Sequence, residues 1–382
     1  MVSLVDKLET LGPAAAFDVA TAAERLGTQR SRHPLAGCFY PSKVSGDVVW
    51  QFKALLSNAC SLRCKYCFTT CAQRKYSLTP EEYAAAFAKA YAERRVDALF
   101  ISSAVAGDPD ATTERMLEAV RLVREKYLFG GHVHFKVLPG VSRHLVERAA
   151  QLADRLSVNL EAPTSGHLAE IAPDKDFNSD LLKRLDWASQ VAASGWLKSG
   201  ITTQLVVGAA GETDVDVLKR AAWFYGKRGA RRFYYSAFRP IPGSELSDRP
   251  ATGPDREARL YQADHLLRVY GFGLEELLSI VDDLGFLPAG DPKQHLAGQF
   301  FDRGEKVDVN EAPVDLLLRV PGIGPKSAAN IARARERGVF FNKAKDLLAV
   351  GVCASKALPY LKLGGPTVVP LTHFLHPSAS HA

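Results

Sequence analysis

The sequence predicts an α/β protein with a parallel sheet covered by helices, followed by an all-α C-terminal region. Two observations carry that expectation. From about residue 48, short apolar runs alternate with amphipathic stretches, giving six candidate strands and five intervening helices. After the Pro/Gly-rich stretch "RPIPGSELSDRPATGPD" (239–255) the strand-like runs stop and helical patterns take over. Strands alternating with helices are the pattern of a parallel sheet whose crossover helices pack on it.

Taken in order, "VVWQFKALLS" (48–57) reads as the first strand and "TPEEYAAAFAKAYAERR" (79–95) as the first helix. That helix has Thr79 placed as N-cap, Pro80 at its first position and acids in its first turn. "DALFISS" (97–103) precedes a helix over 110–127, and "HVHFKVL" (132–138) precedes one over 142–154. "RLSVNLEA" (155–162) precedes a helix over 179–194, and "ITTQLVVG" (201–208) one over 214–229; "RRFYYSAF" (231–238) is the sixth strand. The pattern does not separate an open sheet from a barrel. In either, the loops after the strands' C-terminal ends are the default active site. Helical patterns follow at 256–271 and 273–284, then a loop-rich stretch over 285–310, a short helical pair over 312–337 and another over 343–363.

The chain has 382 residues, enough for two or three domains, and no apolar stretch long enough to span a membrane. Its N-terminus lacks the order of features of a signal peptide. A reducing cytoplasm is therefore expected, where clustered cysteines point to metal or catalysis before disulfides. The formal charge is +6; residues 301–382 hold 11 Lys+Arg against 7 Asp+Glu and so carry most of the excess. That distribution is compatible with a polyanionic partner.

"NACSLRCKYCFTT" (58–70) holds three of six cysteines, directly after the first strand. A structural zinc site wants four closed ligands. Cys71 could supply a fourth, but the paired two-residue knuckles of such sites are missing. Three thiolates on a four-iron four-sulfur cluster would instead leave one iron open to a substrate or cofactor.

Cys60, Cys64 and Cys67, with Tyr66 before the last, resemble the signature of the radical S-adenosylmethionine (SAM) enzymes. The resemblance implies a partial (β/α)6 barrel of the TIM type, a [4Fe–4S] cluster on the three cysteines and SAM on the remaining iron. It also implies an electron donor such as flavodoxin or ferredoxin. Other family positions carry over one by one. The second strand of such enzymes ends in a glycine-rich segment that meets the SAM amino group; here Ser102 and Ser103 stand there, and no Gly-Gly-Glu is present. Asn159 and Glu161, placed on one face by alternation, match polar positions for the ribose or methionyl group, or form an internal network. Gly208 and Gly211 match the segment near the adenine and permit close backbone approach; Glu212 serves that segment or favours the next helix's N-terminus. Ser236 and Arg239, at the end of the sixth strand, would face the site, Arg239 pairing with an anion or closing a surface turn. Cys71 is a candidate pocket thiol with a catalytic role. Cys38, ahead of the first strand, is a candidate on the same footing, or a free buried cysteine, and Cys353 is expected in a core.

"APVDLLLRVPGIGPKSAANIARARERG" (312–338) resembles a helix-hairpin-helix, with the hairpin at Pro321-Gly322-Ile323-Gly324. Gly322, Ile323, Gly324 and Lys326 are the candidate nucleic-acid-binding residues. The unpaired N–H groups opening the second helix are an anion site, and Lys326 adds charge. Such a hairpin holds phosphates without reading bases. Residues 343–363 resemble a degenerate second hairpin.

The order "CSLRCKYC", "VVGAAGETD", "YYSAFRPIPG", "LLRVPGIGPKSAANIARAR" resembles a family of radical SAM proteins assigned to DNA modification or repair and encoded beside a uracil-DNA-glycosylase-like protein. This implies radical chemistry on DNA, with that protein as a possible partner. The alternatives are a radical SAM enzyme acting on RNA and a non-enzymatic nucleic-acid-binding protein with a structural metal. The expected organisation is an N-terminal extension (1–45), a radical SAM core (46–250), a helical linker (251–310), a helix-hairpin-helix domain (311–365) and a weakly ordered tail (366–382).

Overall fold

The computed structural model describes residues 2–18, 33–44, 47–301 and 304–364; the expected tail at 366–382 lies outside them. The chain divides into two compact units, Met1–Leu260 and Tyr261–Ala382.

The first unit is a curled seven-stranded half-barrel. Its strands are β1 (Phe39–Val44), β2 (Asp47–Leu55), β3 (Ala98–Ser102), β4 (Val133–Lys136), β5 (Arg155–Ser157), β6 (Ile201–Val207) and β7 (Ala230–Ala237). They lie side by side in chain order. The six expected strands, β2 to β7, are all parallel. The sequence reading missed β1, which pairs antiparallel with β2 (Phe39↔Phe52) and makes a tight hairpin rather than a crossover.

The helices of this unit are α1 (Leu4–Ala14), α2 (Phe68–Cys71), α3 (Pro80–Ala92), α4 (Pro109–Glu125), α5 (Arg143–Leu152), α6 (Ser165–Ile171), α7 (Lys183–Ala193) and α8 (Asp214–Tyr225). Thr79 does cap α3: its side chain accepts from Glu82 N while the Glu82 carboxylate accepts from Thr79 N. Alternation sorts β2 into two faces. Phe52 packs edge-on against Tyr83 and Phe87 of α3. Lys53 points the other way, its Nζ 5.0 Å from the centre of the Phe100 ring, which in turn meets His134 at 4.5 Å. The concave face therefore carries polar and aromatic residues, and the convex face is the apolar core against the helices.

α9 (Pro254–His265) leads into the second unit, which contains α10 (Leu274–Leu278), α11 (Pro292–Phe300), α12 (Val314–Leu317), α13 (Pro325–Glu336), α14 (Ala344–Ala349) and α15 (Ala354–Ala357). The stretch 285–310, expected as loop-rich within a helical linker, holds α11, whose start is capped by Asp291 with Pro292 at its first position. A two-residue parallel pair, β8 (Val307–Asp308) with β9 (Leu361–Lys362), joins the two ends of the hairpin region. Val309, Leu317, Val320, Ile323, Ala328, Ile331, Phe341 and Leu347 form its core. Cys353, expected in a core, is exposed ahead of α15. The turn into that helix is only partly covered, so a small thiol there needs no packing partner.

Candidate functional site

The cysteine loop is fixed at both ends before any ligand is considered. Asn58 is fully buried; its side chain accepts from Tyr76 N at 2.7 Å and donates to Arg74 O at 2.9 Å. Ser61 N donates to Val105 O at 2.8 Å, tying the loop to the chain beyond β3. Arg63 makes a forked pair with Asp174, and Lys65 N donates to Ile171 O at 2.8 Å. A loop held this way loses little further freedom on binding a ligand.

Within it, Cys64 is buried and Cys60 and Cys67 are half-buried. Cys67 N donates to Cys64 O at 3.0 Å, so the last two cysteines bracket one turn. Thr69 Oγ1 lies 3.1 Å from Cys67 Sγ. Burial pushes the Cys64 thiol up to about 11, and the Cys67 thiol also upward, against the pull of Lys175. Lys175 carries no sequence signal. It sits in the loop after α6 and pairs with Glu161 at 3.2 Å, both side chains 8% exposed. Burial works against the Lys175 ammonium, yet Cys64, Glu161 and Cys67 together with the Glu161 hydrogen bond hold it above the ordinary lysine range. Tyr66 is raised well above its usual value, first by burial and then by Glu161 and the neighbouring thiols. Cys64, Tyr66, Cys67, Glu161 and Lys175 therefore form one electrostatic cluster.

Glu161 reaches that cluster by a kink rather than by the strand alternation expected. β5 ends at Ser157, and Glu161 has φ of 64°, a left-handed conformation unusual outside glycine. Its backbone still bridges to β6 through Glu161 N to Gln204 O, at 3.0 Å. Asn159 is also buried.

Ser102 Oγ donates to Asp18 Oδ2 at 2.6 Å, and Asp18 also meets Lys136 Nζ. Its carbonyl accepts from Lys53, so the N-terminal segment puts an acid against two concave-face lysines. Ser103 Oγ donates to Ala104 O at 2.8 Å. Gly208 has φ of 88°, and a Cβ there would stand 1.9 Å from Thr252 Oγ1. Glu212, 1% exposed, accepts from Gly208 N and Ala210 N and faces Arg256. It ties the turn around Gly208 together. Ser236 is half-buried on β7, and Arg239 is exposed. Cys71 ends α2, its thiol 3.4 Å from Phe68 O. Cys38 is wholly buried among Leu8 and Gly12, and burial pushes it up to about 12, an inert core thiol.

In the second unit, Val320 O accepts from Ile323 N at 3.2 Å, closing the hairpin turn. Gly322 has φ of 84°, and Gly322 O accepts from Cys353 N at 2.9 Å. α13 starts from Gly324 with Pro325 at its first position, and no side chain caps it. Ile323 is buried and Lys326 exposed. The apolar residue thus anchors the turn, and the cation stands in solvent beside the open helix end. Arg335 is turned away from that end, donating to Ala312 O at 2.6 Å. Lys293 of α11, 6% exposed, was not singled out from sequence; its Nζ donates to Ile323 O and lies 4.5 Å from the centre of the Tyr270 ring.

The profile of the Radical SAM superfamily matches residues 55–224, and that of the helix-hairpin-helix motif matches residues 302–359. The chain thus carries a radical SAM domain and a helix-hairpin-helix motif. The cofactors of this domain are a [4Fe–4S] cluster and S-adenosylmethionine. Among curated proteins none matches the chain. Among solved structures, the chain is similar to the [FeFe]-hydrogenase maturase HydG from Carboxydothermus hydrogenoformans, at 17% identity over 56% of this chain and 50% of that one, with a TM-score of 0.46. A second HydG structure matches at 15% identity over 56% and 48%, with a TM-score of 0.45. The radical SAM methyltransferase TsrM from Kitasatospora setae matches at 12% identity over 50% and 37%, with a TM-score of 0.39. The chain spans about half the length of HydG, and at such identities neither substrate nor reaction transfers.

Three thiol donors, Cys60, Cys64 and Cys67, are of the type that holds an iron–sulfur cluster. Among the described residues no three His, Cys, Asp or Glu side chains converge as ligands of one metal ion. In a cluster each thiolate takes a different iron, so such convergence is not required. No helix among the described residues is long and apolar enough to cross a membrane.

Proposed function

We propose that this chain is a radical SAM enzyme that modifies or repairs DNA. Cys60, Cys64 and Cys67 would hold the cluster. With SAM, it would supply one-electron radical chemistry to the substrate. The chain's own residues prepare that site. The loop contacts of Asn58, Ser61, Arg63 and Lys65 hold the thiols in place. Lys175 offsets the negative charge of the thiolates, and Glu161 orients Lys175. Tyr66 lies against Glu161 and the Cys64 and Cys67 thiols. By the family resemblance Tyr66, Ser102, Ser103, Asn159, Glu161, Gly208 and Ser236 are assigned to SAM, with Cys71 and Arg239 as the candidate catalytic residues to test. The core runs from 46 to 250, a linker from 251 to 310 and the hairpin domain from 311 to 365, in a reducing cytoplasm with a flavodoxin or ferredoxin as electron donor.

The observation that supports a nucleic-acid substrate is the uncapped start of α13 behind Gly322 and Gly324, with Lys326 exposed beside it. Backbone N–H groups at such an end suit a phosphate. A base in a duplex must leave its stack to meet a buried radical, and a lesion lowers that cost. A uracil-DNA-glycosylase-like partner belongs to the same reading.

The test is anaerobic turnover of the reconstituted protein with deuterated oligonucleotides. Deuterium appearing in 5′-deoxyadenosine from DNA supports the proposal and identifies the attacked nucleotide. Transfer only from RNA would move the substrate to RNA. Zinc in place of iron, with no SAM cleavage, would sink the enzymatic reading.

A further inference from the structure

The second unit contains a cleft of about 180 Å³. Its walls include Phe272, Leu296, Phe300, Arg319, Glu276 and Gln299. That volume is below the ~300 Å³ at which pockets for whole drug-sized ligands begin. It suits one planar ring system.

Phe300 is 54% exposed at the end of α11, whereas a large apolar ring on a monomer's surface is ordinarily better covered. It is nonetheless held in place. Its neighbour Phe301 meets it at 4.9 Å between ring centres and packs on Tyr360 at 5.4 Å. Arg319 lies over Phe272 at 4.8 Å and 5.7 Å from the centre of the Phe300 ring. Its guanidinium is fixed by Glu276 at 3.0 Å. The polar groups of the wall are largely committed to one another. Glu276 also accepts from Gly273 N at 2.7 Å. Ser279 Oγ donates to Gln299 Oε1, and Gln299 Nε2 donates to Ser279 O. What the cleft offers a ligand is therefore aromatic and guanidinium faces rather than free hydrogen-bonding edges.

Its position decides the occupant. Arg319 ends the turn after α12 and stands three residues before Gly322, so this stacking wall continues directly into the hairpin. We propose that the cleft bounded by Phe300 and Arg319 takes an unpaired nucleobase of a strand whose backbone the adjacent hairpin holds. The inference rests on the nucleic-acid reading above. Stacking on an aromatic ring and a guanidinium plane tolerates every base, because each has a π-face. With the wall's polar groups already engaged, the cleft carries no code for sequence. It selects an extruded or single-stranded base over a paired one.

The test uses the full-length protein and two labelled probes of equal length, a fully paired duplex and the same duplex with one central unpaired 2-aminopurine. Wild type should prefer the unpaired probe, and its binding should change the 2-aminopurine fluorescence. Phe300→Ala should reduce the preference about 5- to 150-fold, the range of one lost base stack, and Phe300→Trp should restore it. Because Phe300 is largely exposed, neither change threatens folding. An unaltered preference and unaltered fluorescence response in Phe300→Ala would overturn the proposal. Duplex binding that ignores Lys326→Ala would count against the hairpin reading instead, so the two failures are told apart. Deoxy- and ribo-oligomers run in parallel show which sugar the strand carries.

Discussion

Lys293 Nζ donates to the carbonyl oxygen of Ile323 at 2.6 Å. A lysine that is 6% exposed thus supports the hairpin turn from beneath. Tyr270 contributes to the same support, since a Cβ on Gly324 would meet its hydroxyl at 3.3 Å.

Burial depresses Lys293 to about 7, with Asp291 pulling the other way. The unfolded chain keeps its ordinary value of 10.5, so between about 7 and 10.5 the unfolded state binds more protons than the folded one. Stability of the second unit therefore rises with pH across that window and levels off beyond both ends. Denaturant midpoints measured from pH 7 to 10 should climb in wild type. Lys293→Met should flatten this part of the profile.

Gly322 and Gly338 both have positive φ, 84° and 76°, but only Gly322 is crowded: a Cβ there would stand 2.5 Å from Cys353 O, and nothing lies within 4 Å of one on Gly338. Gly338→Ala should cost about 1 kcal/mol from backbone strain alone. Gly322→Ala should cost about 2–3 kcal/mol and displace the turn. Thermal unfolding of the two variants checks the difference.

Single substitutions of Cys60, Cys64 or Cys67 by serine should abolish the iron–sulfur absorbance after anaerobic reconstitution. Cys71→Ser should keep it, because its thiol is engaged with Phe68 O. Iron analysis gives the result directly. Loss of iron in Cys71→Ser would make the site a four-thiolate one.

Lys175→Met leaves Glu161 buried without its cation. The apoprotein should lose about 3–5 kcal/mol. Lys175→Met with Glu161→Gln should recover part of that loss. A double-mutant cycle by urea denaturation measures the coupling.

The strands were legible because each is a short apolar run separated from the next by a helical pattern; β2 to β7 fall on those runs, although β5 stops at Ser157 rather than running to 162. β1 was not, since "FYPSKV" has a proline and no clean period, and only its pairing with β2 makes it a strand. The cysteine loop could be read from spacing alone. Lys175, Asp18 and Lys293 could not, because their roles come from neighbours 14 to 118 residues away in sequence. Glu161 was selected by alternation but arrives by a left-handed kink that no periodicity foresees. Phe300 fell in a stretch read as loop-rich, where no periodicity marks which face a residue takes, so its exposure beside Arg319 had no signal.

The strictly sequential strand order has a consequence for synthesis. Each strand from β2 onward joins one already emerged from the ribosome, so the sheet grows as a ribbon and never waits for a distant partner. The thiols at 60–67, however, are made more than a hundred residues before Lys175, which completes their electrostatic surroundings. Until that later stretch appears, the nascent loop lacks the cation that faces Cys64 and Cys67 in the folded protein.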